Sequence, residues 1–142
     1  MFSCFPRPSS SLQSGKLQIS ILERHPFTTQ TFSPLGLPHD SKDTCFLVVV
    51  APSLPGTRSG VRNPPDLANI KAFVARGDQA VTYGAGTWHA PMVVLGEKRV
   101  DFVVTQFVNG VPDDDCQEVL VENMSVDLGK LGLERMTARP KL

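Results

Sequence analysis

The chain has three histidines, and two of them keep company that gives an imidazole work to do. His89 lies in Tyr83-Gly84-Ala85-Gly86-Thr87-Trp88-His89-Ala90-Pro91, which gathers the only Tyr and the only Trp of the sequence beside two glycines and a proline. An imidazole changes charge near neutral pH and can act as base, acid or metal ligand. Glycine lets the backbone turn with positive φ or approach closely, and Pro91 removes a ladder donor. The same residues also admit a purely structural reading, with Trp88 filling a core and His89 a satisfied turn histidine.

His25 is the second. Leu17, Ile19 and Ile21 alternate with Gln18 and Ser20, the period of a half-buried strand, and this carries Glu23 and His25 onto the face of Ile19 and Ile21. Arg24 then falls on the other face and points outward. A carboxylate and an imidazole on an inward row are costly to bury unless they are paired or bound to something. Pro26 interrupts the ladder, and Gln30, beyond the bend, comes within reach of His25. His39 lies in a polar turn and reads as solvated.

The elements that must hold these groups are mostly strands. Residues 16–25 and 27–32 read as two strands joined by a bend. Residues 45–51 form a continuous apolar run that suits a strand buried on both faces. Residues 52–65 form a long Pro- and Gly-rich loop carrying Arg58 and Arg62. In residues 66–73 an acidic start, with Leu67, Ile70 and Val74 at helical spacing, predicts one short helix. Strands follow at 79–83, 92–95, 99–107 and 117–121. Asp101 interrupts an apolar strand, to pair with a histidine or to sit at an edge, and Asp113 to Asp115 read as a solvated acidic loop. The sum is an all-β sandwich or barrel of short antiparallel strands with one short helix. Its organisation is a loose N-terminal segment at 1–15, a single domain at 16–125 and a tail at 126–142.

Composition narrows the function classes. Among 142 residues Lys+Arg and Asp+Glu balance at 14 each, so no basic field invites nucleic acid or an anionic membrane. Cys4, Cys45 and Cys116 are too far apart for a CxxC zinc site and too few for a disulfide framework. No apolar run has the length of a membrane span, and the start lacks the order of a signal peptide. The expected location is the cytoplasm; Pro140-Lys141-Leu142 is only a distant match to a peroxisomal tripeptide.

Leu22-Glu23-Arg24-His25-Pro26, Thr29-Gln30-Thr31-Phe32-Ser33-Pro34-Leu35, Pro65-Asp66-Leu67, Ala72-Phe73, Gly77-Asp78-Gln79, Gly86-Thr87-Trp88-His89-Ala90-Pro91 and Asp101-Phe102 occur in this order. Together, over residues 2–125, they resemble the ureidoglycolate lyase family in its fungal form, N-terminally shortened. The resemblance implies a cupin-like β-barrel, a homodimer, and a carbon-nitrogen lyase of allantoin and purine catabolism that cleaves (S)-ureidoglycolate to glyoxylate and urea. Bacterial members carry a histidine where this chain has Gly84-Ala85, so the shared chemistry does not require it.

Cupins hold metal with a His-x-His-x(3 or 4)-Glu segment and a later His. The resemblance places Glu23, His25, Gln30 and His89 at those positions, with Gln30 a weak neutral ligand. A site of this kind suits Mn, Fe, Ni or Zn, and the chemistry also runs with no cofactor if the imidazoles move protons themselves. On this reading His25 and His89 are catalytic with Glu23 orienting them, while Gln30, Arg24, Trp88 and Tyr83 bind the substrate. A cupin-like binding or structural module without activity, and another cupin enzyme with a different substrate, are the competing readings.

Overall fold

The computed structural model describes residues 1–7, 12–40, 44–111 and 115–133. Their strands are β1 (Phe2–Cys4), β2 (Leu12–Gln13), β3 (Lys16–Arg24), β4 (Gln30–Leu35), β5 (Thr44–Ala51), β6 (Thr57–Arg58), β7 (Val61–Arg62), β8 (Lys71–Ala75), β9 (Val81–Tyr83), β10 (Trp88–His89), β11 (Val93–Gly96), β12 (Val100–Gln106) and β13 (Gln117–Asp127). One sheet has the order β1-β12-β4-β9. A larger one runs β11-β5-β10-β3-β13, with β2 beside β3 and β8 beside β5, and β6 and β7 form a separate hairpin. All named strands pair antiparallel. The result is an all-β, cupin-like sandwich. Among the described residues no helix is long and apolar enough to cross a membrane.

The apolar run of β5 is buried on both faces, as its sequence requires. Phe46 and Val48 join Phe32, Tyr83, Val100 and Phe102 of the smaller sheet in a core between the two sheets. Leu47, Val49 and Ala51 join Leu17, Leu22, Trp88 and Leu128 in a second core on the opposite face. Phe102 is fully buried and meets Phe32 and Phe46 edge to face at 5.8 and 5.2 Å between ring centroids, a favoured aromatic geometry.

Several expectations are corrected. The helix expected at 66–73 is a single 3-10 turn, Leu67–Asn69, capped by Asp66, followed by strand β8. Ile70, Ala72 and Val74 also fit a period of 2 and pack on the second core, and the open edge of β5 supplies backbone partners that a helix would leave unused. The N-terminal segment is not loose where it is described, because Phe2–Cys4 pairs with Val100–Phe102. Nor is the C-terminal region a tail from 126. β13 continues to Asp127, and Leu128 and Leu133 are buried around a 3-10 turn at Gly129–Leu131. Residues 134–142, with the terminal tripeptide, lie outside the described residues, as do Asp113 and Asp114. The second strand starts at Gln30 and not at Phe27, since the Phe27 N–H is engaged by Asp115 Oδ1 at 2.7 Å.

Candidate active site

Two-residue β10 is the hinge of the site. It lies between β5 and β3, with His89 opposite both Glu23 and Val50 and with Trp88 opposite Ala51. Neighbouring side chains of a strand point to opposite faces, so Trp88 enters the second core while His89 faces the smaller sheet. Gly86, at φ 77°, makes the turn into β10, and its N–H donates to the carbonyl of His25 at 2.7 Å. The glycine-rich stretch is thereby fastened to the end of β3.

The smaller sheet contributes a polar row. Gln106 of β12, Gln30 of β4 and Tyr83 of β9 are register partners, side by side across three strands. The Tyr83 ring lies on the His89 ring at 3.9 Å between centroids with 12° between planes, and His25 is 5.8 Å from His89. Glu23 Oε1 is 3.4 Å from His89 Nε2. This is an ion-pair contact without hydrogen-bond alignment, so His89 Nε2 still counts among the buried atoms that lack a hydrogen-bond partner. The others are His25 Nε2, Gln30 Oε1 and Tyr83 Oη. Buried polar groups are normally satisfied, and several orphans facing one another mark a place built for a ligand.

The ring nitrogens can be assigned from their partners. His89 Nδ1 is 2.9 Å from the carbonyl of Thr87, and His25 Nδ1 is 2.6 Å from the carbonyl of Asp115. A carbonyl only accepts, so each Nδ1 carries the hydrogen and each Nε2 is left without a hydrogen-bond partner. Contact with His89 holds the Glu23 carboxyl below its ordinary value, against the opposing effect of burial, and the charges of both histidines add to it. Burial first, and the charge of Glu23 second, push the Tyr83 hydroxyl up, so it stays protonated and able to donate. Asp115 carboxyl oxygens accept from Phe27 N and Thr28 Oγ1; burial raises this carboxyl, but these bonds and the charge of His25 more than offset that. Asp115 therefore locks the turn that carries His25. A cavity of about 500 Å³ opens over His25 and Gln106.

Glu23, His25 and His89 bring one donor atom each within 4.8 Å of the others. Two imidazoles whose second nitrogens are fixed by carbonyls, together with a carboxylate, fit a divalent ion. They equally fit a proton-transfer site.

The family model described as ureidoglycolate lyase matches residues 1–127. The chain belongs to the ureidoglycolate lyase family. It is 43% identical over 129 residues to the protein named ureidoglycolate lyase of Saccharomyces cerevisiae, covering 83% of this chain and 62% of the yeast protein. It is 48% identical over 105 residues to the one of Schizosaccharomyces pombe, covering 74% and 50%, and 39% identical over 103 residues to one of Burkholderia mallei, covering 69% and 51%. The chain thus spans about half to three fifths of the length of these curated relatives.

In this member of the ureidoglycolate lyase family, Glu23, His25, Gln30, Tyr83 and His89 come together, and Arg24 and Trp88 do not join them. Arg24 was expected to point outward; it is 5% exposed and lies over the Trp88 ring at 4.6 Å. Its five N–H groups donate to Gln117 Oε1 (twice), Ser53 Oγ and the carbonyls of Arg62 and Asn63. The alternation of β3 slips at Ile21, where buried positions pass from Leu17 and Ile19 to Leu22 and Arg24; pairing with β13 shifts register there, between Leu120 and Met124. Trp88 is fully buried with Nε1 donating to Asn63 O at 2.9 Å. Asp101 is on the outside, bound to Ser3 and Arg99. Sequence reasoning missed Gln106, whose link to His25 spans 81 positions, and took Asp115 for a solvated loop residue. The only local signal was a glutamine ending an apolar strand.

Proposed function

We propose that this chain is a ureidoglycolate lyase, cleaving (S)-ureidoglycolate to glyoxylate and urea. The observation that carries the reading is the meeting of two unpartnered imidazole Nε2 atoms beside a carboxylate, in a chain that belongs to this family.

Ureidoglycolate bears a hydroxyl and a ureido nitrogen on one carbon. Cleavage needs a base for the hydroxyl proton and an acid for the departing nitrogen. His25 Nε2, with its lone pair toward the cavity, removes the hydroxyl proton. The oxygen's electrons form the new C=O bond and the C–N pair leaves with the ureido nitrogen. His89, which enters as an imidazolium beside ionised Glu23, gives its Nε2 proton to that nitrogen, so glyoxylate and urea depart with no net change in protons, and the proton held by His25 restores His89 before the next turnover. Tyr83 Oη and Gln30 hold the substrate's oxygens. If Glu23, His25 and His89 instead held a divalent ion, it would polarise the hydroxyl, and the two imidazoles would be its ligands in place of proton carriers. A homodimer, which rests on the family resemblance, and a cytoplasmic location, which rests on the cysteine spacing and the absence of a span or signal pattern, belong to the same proposal; sedimentation at about twice 15.5 kDa would support the dimer.

The test is glyoxylate release from (S)-ureidoglycolate by purified, folded protein, with and without chelator. Release that survives chelation supports the imidazole pair alone. Release lost on chelation and restored by one ion identifies the cofactor, and no release from a folded chain leaves the binding-module reading in front.

A further inference from the structure

The amide row beside His25 contains a contradiction that decides what the site presents to a ligand. Gln106 Nε2 stands 3.1 Å from His25 Nδ1, and Gln106 Oε1 accepts from Gln30 Nε2 at 3.0 Å. The same His25 Nδ1 is 2.6 Å from the carbonyl of Asp115. An amide NH₂ and a ring N–H cannot donate to each other, and Nδ1 must carry a hydrogen because a carbonyl only accepts. This holds whether the imidazole is neutral or charged. Asp115 O cannot change its role. The Gln106 amide can, since its nitrogen and oxygen ends have the same shape and are assigned by their partners.

Turning Gln106 end for end puts Oε1 against His25 Nδ1–H, whose one hydrogen it shares with the nearer carbonyl of Asp115. It gives up a 3.5 Å contact from Gln106 Nε2 to Thr28 Oγ1, at the limit of hydrogen-bond length. Gln106 Nε2 then faces Gln30, which must also turn so that its oxygen accepts. Gln30 Nε2 thereby takes the buried position now held by the unpartnered Oε1.

We propose that Gln106 is a positioning residue which, through its contacts with His25 and Gln30, obliges Gln30 to present an amide N–H₂ donor where its buried Oε1 now stands without a partner. Gln30 is then a binder of an anionic or carbonyl oxygen of the ligand, such as a carboxylate, and not a metal ligand, since an amide nitrogen has no lone pair to give. With Arg24 fully engaged on the opposite face, a neutral donor of this kind takes the place of a guanidinium anchor. The inference deepens the lyase reading and rests on it.

The test is NMR on the full chain with ¹⁵N-labelled glutamine side chains and histidine rings, each amide assigned through its own Cγ and backbone. In the free protein the Gln106 Nε2 hydrogens are expected to carry the downfield shift of hydrogen-bonded amide protons, and those of Gln30, buried without an acceptor, are expected to lack it. Added glyoxylate is expected to shift the Gln30 Nε2 resonances with the same midpoint as the His25 and His89 ring signals. A hydrogen-bonded Gln30 amide N–H₂ beside a Gln106 amide N–H₂ without an acceptor would overturn the proposal. So would ring signals that respond to glyoxylate while Gln30 does not, which leaves the lyase reading intact. If neither rings nor amides respond, the site does not take this product, and both fall together.

Discussion

Glu23 and Arg24 are neighbours on β3, as His89 and Trp88 are on β10, yet the two faces they serve have opposite character. On the Arg24 face the buried donors of Arg24 and Trp88 all have acceptors: the guanidinium ties Gln117 to the hairpin loop through the carbonyls of Arg62 and Asn63, and the Trp88 indole holds Asn63 as well. On the Glu23 face four buried polar atoms have no hydrogen-bond partner. Burial and charge are similar on both sides, so neither identifies the functional face. Satisfaction does: a completed polar network fixes the fold, and an incomplete one waits for a ligand.

This contrast can be broken by substitution. His25→Asn keeps a donor for Asp115 O but removes Nε2 from the cavity. It is expected to lower kcat for glyoxylate release by about 10³-fold, within the range for loss of a general base, with an unchanged far-UV spectrum. Arg24→Met acts the other way. It leaves Gln117 Oε1 and the Arg62 carbonyl without donors, while Asn63 O keeps the Trp88 indole, and should lower unfolding free energy by about 3 kcal/mol, while activity per folded molecule stays within about threefold. A stable but inactive Arg24→Met would erase the distinction.

A smaller effect sharpens it. Tyr83→Phe removes a buried hydroxyl with no partner, so stability should stay the same or rise by up to about 1 kcal/mol, while activity falls by about tenfold if that hydroxyl holds substrate. Denaturant melts and initial rates on the same samples separate the two. The smallest expected effect is in acid. Glu23 has a folded-state pKa below its ordinary 4.5, so its contribution to stability is fully present above that value and is lost as pH falls through the folded value. Stability measured between neutral pH and pH 3 should decline less steeply in Glu23→Gln than in the parent; the rest of the decline comes from Asp101 and Asp115, whose carboxyls are also lowered.

Much of this was legible in the sequence where the signal is local. The apolar run of β5 and the clustering of Tyr83, Trp88 and His89 marked the sheet architecture and His89, while the alternation of β3 marked the strand but set Glu23 and His25 on the face of Ile19, an assignment that the slip at Ile21 reverses. What was hidden depends on register between distant strands. The slip at Ile21 buried Arg24, and nothing in residues 16–25 records it, because the irregularity lies in the partner strand around Asn123, at φ 56°. Gln106 matters only because β12 pairs with β4 in a register that sets it beside Gln30. Asp115 matters because it closes on Phe27 and Thr28, 88 and 87 positions away. β8 was read as a helix because Ile70 and Val74 fit both periods, and the edge of β5 made the choice.

The most direct measurement is glyoxylate release from (S)-ureidoglycolate by the parent chain and by His89→Ala, at equal concentrations of protein shown to be folded by thermal melt. The account predicts release by the parent and its loss, by at least about 10²-fold, in the variant. Release that His89→Ala leaves untouched would contradict it, because the unpartnered imidazole beside Glu23 would then have no part in the chemistry.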